Sequence, residues 1–202
     1  MSKEEWFDSV ESGDLTKVKK MLSEDGALLH TRSHDKETAI IKASENGHLA
    51  VVKHLLKCGA NPDDADKTSA ANTPLILASF EGHDKVVRYL LRKGATINKQ
   101  NSAGATPLIS AAGEGRTKVV NLLVQKGADT SRTNADGESA CDIVNTLFAR
   151  NKTLKTKLCN LIEKKERDSL SDSSSSVGGK KTRKLRKRSK RQGTRKFSQR
   201  NV

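Results

Sequence analysis

Thr73-Pro74-Leu75-Ile76-Leu77-Ala78, followed by Leu90-Leu91-Arg92-Lys93-Gly94-Ala95, is the stretch that decides the fold. Both halves return 33 residues later, as Thr106-Pro107-Leu108-Ile109-Ser110-Ala111 and Leu123-Val124-Gln125-Lys126-Gly127-Ala128. An earlier copy runs from Thr38-Ala39-Ile40-Ile41-Lys42-Ala43 to Leu55-Leu56-Lys57-Cys58-Gly59-Ala60, 35 residues ahead of the central one. The two additional residues therefore lie in the connector between Asn61 and Asn72. A fixed period of this size marks a stacked array, because one unit alone cannot bury its own apolar faces.

Each copy reads as two short helices. Thr followed by Pro suits a helix start, since the hydroxyl can accept from a free N–H and proline's missing donor costs nothing at the first position. An Ala-containing helix follows and ends at Gly47, Gly82 or Gly115. The second helix carries Val51-Val52 with Leu55-Leu56, Val86-Val87 with Leu90-Leu91, and Val119-Val120 with Leu123-Val124, all at helical spacing. It stops at Gly59, Gly94 or Gly127.

This pattern resembles the ankyrin repeat family: Thr-Pro-Leu, then Ala, Gly-His, Val-Val, Leu-Leu and Gly-Ala, over roughly residues 3–163. The resemblance implies an all-α solenoid of helix-turn-helix units joined by short β-hairpin-like loops, with about five repeats including the ends. Three departures stand out. Ile41, Ile76 and Ile109 occupy the position where the family usually has His, which exchanges a polar link for apolar packing. Arg116 stands where His48 and His83 stand in the other copies. Lys36 and Ala71 take the turn position filled by Gly104 and Gly137, so the first two hairpin turns are expected to be less regular.

The ends read as caps. Ser2-Lys3-Glu4-Glu5 fits a capping box, Trp6, Phe7 and Val10 supply an inner face, and Val18, Met21 and Leu22 a second helix with Lys17, Lys19 and Lys20 outward. Ser139-Ala140-Cys141-Asp142-Ile143-Val144 opens a degenerate fifth copy, and a helix from about Lys152 to Lys165 closes the stack with Leu154, Leu158, Leu161 and Ile162.

The family resemblance places partner contacts on the hairpin tips and the exposed face of the first helices. Carried over by position, the tip residues are His34, Asp35 and Glu37, Ser69 and Asn72, Ser102, and Asp136 and Glu138; the helix residues are Glu45, Asn46, Phe80, Glu81 and Glu114. Phe80 is the apolar anchor of that set. The acidic members favour a basic partner surface, and the same face is able to receive the chain's own tail.

The 202 residues carry Lys+Arg 38 against Asp+Glu 24, a formal charge of +14, and the excess is local. Residues 180–202 hold twelve Lys/Arg and no acid, leaving 26 basic and 24 acidic residues in the first 179. The sequence thus divides into a repeat domain at 1–165, an acidic Ser-rich linker at 166–179 whose serines suit an acid-directed kinase, and a polybasic tail at 180–202. Apolar residues are so sparse from Glu163 onward that this segment is expected to be disordered alone.

Lys180, Lys181, Arg183, Lys184, Arg186, Lys187, Arg188, Lys190, Arg191, Arg195, Lys196 and Arg200 read as a nuclear or nucleolar localisation signal or a nucleic-acid arm. Lys180-Lys181-Thr182-Arg183 and Lys187-Arg188-Ser189-Lys190 resemble single-cluster import signals, implying an import receptor, RNA or both as partners and shuttling between nucleus and cytoplasm. With only Phe197 available to stack, base reading is not expected.

No apolar run reaches the roughly 18 residues that span a bilayer, and the start is too acidic for a secretory signal. Cys58, Cys141 and Cys159 are widely spaced and read as reduced thiols, with no metal site and no cofactor. The five histidines, a Cys58 without a designated base, and the absence of a phosphate loop or nucleophile elbow argue against catalysis and against a small-molecule substrate.

Overall fold

Helix starts written in the sequence are made as local bonds. The Thr73 hydroxyl accepts from the Ile76 N–H at 3.2 Å and the Thr106 hydroxyl from the Ile109 N–H at 3.2 Å, each with proline in the first turn. At the earlier copy Ala39 replaces the proline, and Thr38 makes no such bond; its buried Oγ1 has no hydrogen-bond partner among the described residues. Ser2 accepts from the Glu5 N–H at 3.1 Å, which is one half of the expected capping box, whereas Ser139 and Asp142 form both halves.

The computed structural model describes residues 2–149 and 151–173, the last ten of them as backbone only. The elements are α1 (Lys3–Glu11), α2 (Leu15–Glu24), a short 3-10 helix (Gly26–His30), α3 (Ala39–Glu45), α4 (Leu49–Lys57), α5 (Pro74–Glu81), α6 (Asp84–Arg92), α7 (Pro107–Gly113), α8 (Thr117–Gln125), α9 (Ala140–Leu147) and α10 (Lys152–Ser173). Two isolated antiparallel bridges, Arg32 with Thr38 and Thr133 with Ser139, are the only β pairing among the described residues. The fold is the all-α ankyrin solenoid.

The odd-numbered helices α1, α3, α5, α7 and α9 pack side by side as an inner row, and α2, α4, α6 and α8 form an outer row behind them. The layer between the rows is the core. Val51, Val52, Leu55, Val86, Val87, Leu90, Val119, Val120 and Leu123 enter it from outside, and Leu75, Ala78, Leu108 and Ala111 from inside, all essentially inaccessible. Each buried Val or Leu is worth about 1.5–3 kcal/mol, which is why the apolar pairs recur in every copy. Trp6, Val10 and Val18 close one end.

α10 packs on α8 and α9, takes the fifth outer position, and buries Leu158 and Ile162. It continues to Ser173, eight residues past the end expected at Lys165, so the first part of the segment expected to be disordered is helical. Only Glu166, Arg167 and Leu170 of that extension are good helix formers and the other five residues are Ser or Asp, so it is carried by elongation of an already anchored helix, which costs far less than starting a new one. Residues 174–202, with the rest of the linker and the whole polybasic tail, lie outside the described residues.

Repeats are joined by side chains reaching back to the preceding inner helix. His48 Nε2 donates to the Glu11 carbonyl at 2.6 Å and His83 Nε2 to the Glu45 carbonyl at 2.8 Å; since a carbonyl only accepts, the proton sits on Nε2 in both. Arg116 preserves the link, its Nε donating to the Phe80 carbonyl at 2.8 Å. These carbonyls belong to helix ends and lack intrahelical partners, so the bonds satisfy groups that burial would otherwise penalise.

The finger turns correct one expectation. Lys36 and Ala71 adopt the left-handed conformation of Gly104 and Gly137, with φ of 61° and 52° against 71° and 79°. The first finger is regular: Ser33 N–H donates to Glu37 O and Lys36 N–H to Ser33 O, as in the fingers opened by Asn101 and Asn134. The second is enlarged, with Asp66 N–H donating to Asn72 O across six residues where the others span four, so the two additional residues sit in its tip. Asp66, buried, holds that larger loop by accepting from the N–H groups of Thr68 and Asn72 at 3.0 and 2.8 Å.

The cysteines are free thiols, as read, but their surroundings differ from the expectation at Cys58. Cys141 on α9 and Cys159 on α10, widely separated in sequence, bring their Sγ atoms to 3.2 Å as free thiols. Burial, the bond to Cys159 and its charge, and the nearby carboxylates of Glu163 and Asp142 push the Cys141 thiol up to about 12. Cys58 does have an imidazole beside it, since His54 one helical turn earlier places Nε2 at 3.6 Å.

Candidate protein-binding surface

The inner face is built from the exposed sides of α3, α5 and α7 and from the stacked fingers. Backbone bonds tie finger to finger: Lys67 N–H to Lys36 O, Ser102 N–H to Ala70 O and Ala135 N–H to Ala103 O, at 3.2, 2.9 and 2.9 Å. Side chains add to this, Arg32 donating to the carbonyls of Lys36 and Ala65 and pairing with Asp64 at 2.9 Å, and Gln100 donating to the carbonyls of Gly104 and Thr133. The result is a rigid wall whose tips present His34, Asp35, Ser69, Ser102 and Asp136 to solvent.

Phe80, at the end of α5, stands 42% exposed. It borders a groove of about 380 Å³ between α5 and α7, lined by Ile76, Leu77 and Ile109 with Asn72, Asn101, Ser110 and Glu114 at its edges. Ile76 and Leu77 lie one turn before Phe80 and so share its side of the helix. The residue one repeat on from Phe80 is Gly113, which has no side chain to cover the ring. Asn101 donates to Asn72 Oδ1 at 2.9 Å, fixing the polar edge. Of the expected residues, Asn72, Phe80 and Glu114 meet here. The apolar floor of Ile76, Leu77 and Ile109 was not among them, although the recurrence of Ile76 as Ile109 at the period of 33 was visible.

The acidic residues divide. Lys42 gathers Glu37 at 2.8 Å, Glu11 at 3.6 Å and Glu45 at 3.7 Å, so Glu37 and Glu45 are engaged within the wall. Burial lowers the Lys42 pKa, but the bond to Glu37 and the charges of Glu37, Glu45 and Glu11 outweigh it and hold the ammonium above its usual value. Burial, then the charges of Glu37 and Glu81 against the opposing Lys42, raises the Glu45 carboxyl. Glu81 lies 3.9 Å from Arg116, and Glu138 accepts from the side chain of Asn134. Asn46 donates to the Lys42 carbonyl. Glu114, Asp35 and Asp136 remain exposed. A second groove of about 310 Å³, between α1 and the first finger, collects Glu4, Asp8, Glu11, His34 and Asp35 around Phe7 and Lys3.

No group of three or more His, Cys, Asp or Glu side chains is placed to hold a metal ion among the described residues, and no described helix is long and apolar enough to cross a membrane. The basic residues from Lys180 to Arg200, read above as a localisation signal or a nucleic-acid arm, lie outside the described residues.

A family model for ankyrin repeats in three copies matches residues 6–101 and 71–134. The chain is similar to the serine/threonine-protein kinase VIK of Arabidopsis thaliana, 43% identical over 61 residues, which are 30% of this chain and 14% of the kinase. It is also similar to ankyrin repeat domain-containing protein 49 of Bos taurus, 42% identical over 53 residues, or 26% of this chain and 22% of that protein. The chain thus spans less than a quarter of either relative, and the kinase match covers too little of the kinase to carry its activity. The repeat model, in contrast, covers well over half of the chain, with the helix pairs, fingers and back-reaching links in place at each copy: the chain belongs to the ankyrin repeat family, whose stacked repeats are protein-protein interaction modules and generally not catalysts.

Proposed function

We propose that the chain is a non-catalytic adaptor that grips a protein partner on its inner face, with the groove at Phe80 as the anchor point and residues 180–202 as a nuclear or nucleolar localisation signal. The observation that carries the partner site is the exposed Phe80 ring above an apolar floor with a hydrogen-bonding rim, the arrangement in which an aromatic side chain contributes most to an interface. The partner is a segment with an apolar side chain for the groove and basic groups for Glu114, Asp35 and Asp136, since Glu37 and Glu45 are already matched by Lys42.

Phe80→Ala is expected to weaken partner association by at least about tenfold while leaving the melting temperature within a degree or two, because the ring supports no core. Unchanged affinity, or a large drop in melting temperature, defeats the reading. The tail is tested separately by fusing residues 166–202 to a reporter, for which nuclear accumulation is expected. The twelve Lys/Arg favour a second reading, in which the chain is associated with RNA or a ribosomal particle and the tail contacts phosphates while the repeats dock a protein. RNase-sensitive retention of the reporter identifies that case.

A further inference from the structure

The outer row carries a charge pattern that the adaptor reading does not use. α2, α4, α6 and α8 hold nine Lys/Arg and two Asp/Glu, whereas α1, α3, α5 and α7 hold two Lys and six Asp/Glu. The cations are ordered. Lys19, Lys53 and Arg88 each stand six residues after the glycine that ends an inner helix (Gly13, Gly47, Gly82), and Lys57 and Arg92 each stand ten after it. Equivalent positions on stacked helices fall in line, about 8–10 Å apart from helix to helix. Residues four apart on one helix lie about 5–6 Å apart. The outer face therefore bears two adjacent lines of cations, all exposed.

These charges are not neutralised by carboxylates. Among the described residues none of Lys19, Lys53, Lys57, Arg88, Arg92 and Lys93 pairs with a carboxylate; in this row only Lys20 does, with Glu24 at 3.9 Å. Lys53, Arg92 and Lys93 instead converge on the Tyr89 ring, 5.7, 5.3 and 5.8 Å from its centre, so three like charges from two helices are held in one place. The local potential is felt by a neighbour: burial, then the charges of Lys19 and Lys57, lowers the His54 pKa.

We infer that the outer face of α2, α4 and α6 is a second binding surface, which takes the phosphate backbone of a nucleic acid. Duplex nucleic acid presents one charge per about 1.7 Å of axis, so its phosphates are dense enough for cations set about 5–10 Å apart to find partners without reading bases. An anionic membrane is the poorer fit. Interfacial helices need an apolar face, and the large apolar side chains exposed among the described residues, Phe80 and Leu147, belong to inner-row helices. The acidic inner row repels the same polyanion, which leaves the concave groove free for a protein. The inference stands independently of the Phe80 site and of the tail.

The test uses the full chain with and without Lys/Arg→Gln replacement of the twelve basic residues in 180–202, so that tail binding is separated from face binding. In each background Lys19, Lys57 and Arg88→Gln is one variant, and Lys53, Arg92 and Lys93→Gln, which also loses the Tyr89 contacts, is another. Anisotropy of a fluorescein-labelled DNA duplex and an RNA duplex is followed across a salt series. Each triple variant is expected to flatten the slope of log affinity against log salt on DNA by up to about 2.7, at about 0.9 per contact, in both backgrounds. Unchanged slope and affinity for the first variant, whose side chains are exposed and whose fold is checked by its melting curve, overturns the inference. So does equally tight, face-dependent binding of a poly-glutamate peptide or of phosphatidylserine vesicles, which would make the face an acidic-protein or membrane site.

Discussion

The two helix rows bury side chains into the same layer yet face solvent with opposite charge. The inner row ends in Glu45, Glu81 and Glu114, and the outer row displays Lys53, Arg88 and Arg92. Each row contains a titratable group that registers its surroundings: Glu45 is raised, by burial and then by Glu37 and Glu81, and His54 is lowered, by burial and then by Lys19 and Lys57. A repeat constrains only its core-facing positions and its turns, so the two solvent faces are chemically independent of each other. One chain can hold two unlike partners on its two sides for that reason.

The comparison is broken most severely at the shared layer. Leu75→Ala in the inner row and Leu90→Ala in the outer row are each expected to cost about 2–5 kcal/mol, since both side chains are fully buried. Urea unfolding measures this, and a much smaller loss at one of them shows that the rows do not contribute equally to the core.

The fingers come next. Gly137→Ala carries only the strain of a left-handed backbone, about 1–2 kcal/mol, because nothing lies within 4 Å of an added Cβ. Gly104→Ala is expected to cost distinctly more, since its Cβ meets the Ala135 nitrogen at 2.8 Å and the Asn134 carbonyl carbon at 2.9 Å, both backbone atoms. Equal melting temperatures for the two variants contradict tight finger stacking.

A smaller effect tests the link from Arg116 to the inner row. Arg116→Ala is expected to lose about 1 kcal/mol, the net worth of its bond to the Phe80 carbonyl, and Arg116→His to retain most of it by restoring the arrangement of His48 and His83. Thermal melts of both variants decide it.

The smallest effects are titrations followed by NMR. Glu45 is expected above its ordinary 4.5 and His54 below 6.5, with Glu37→Gln bringing the first down and Lys19→Gln bringing the second up. The signs for stability follow. Because Glu45 is raised in the folded chain, its contribution is present below the unfolded pKa and lost as pH rises through the folded one. Because His54 is lowered, its charging disfavours the fold at low pH, and that penalty disappears as pH rises past the unfolded value. Glu45→Gln and His54→Gln should remove the respective dependences.

The placement of several residues of the proposed surface was legible in one dimension. Phe80, Asn72 and Glu114 were found by counting from Thr-Pro-Leu, because position within a repeat sets which way a side chain points. The engagement of Glu37 and Glu45 was not, since Lys42 reads as an ordinary solvated lysine until α1, the first finger and α3 converge on it. The apolar floor under Phe80 needed the packing of α5 beside α7 to become a groove.

The sequence by itself determined the period, the helix starts, the helix stops apart from that of α10, the core pairs and the sign of the tail, because each of these depends on residues within a few turns of one another. Only the tertiary structure decided that Lys36 and Ala71 take left-handed turns, that Arg116 replaces a histidine's bond to the preceding repeat, and that Cys141 meets Cys159. The cysteine contact and the Arg116 bond depend on atoms 18 and 36 positions apart, brought together by stacking, and no local preference encodes such a distance.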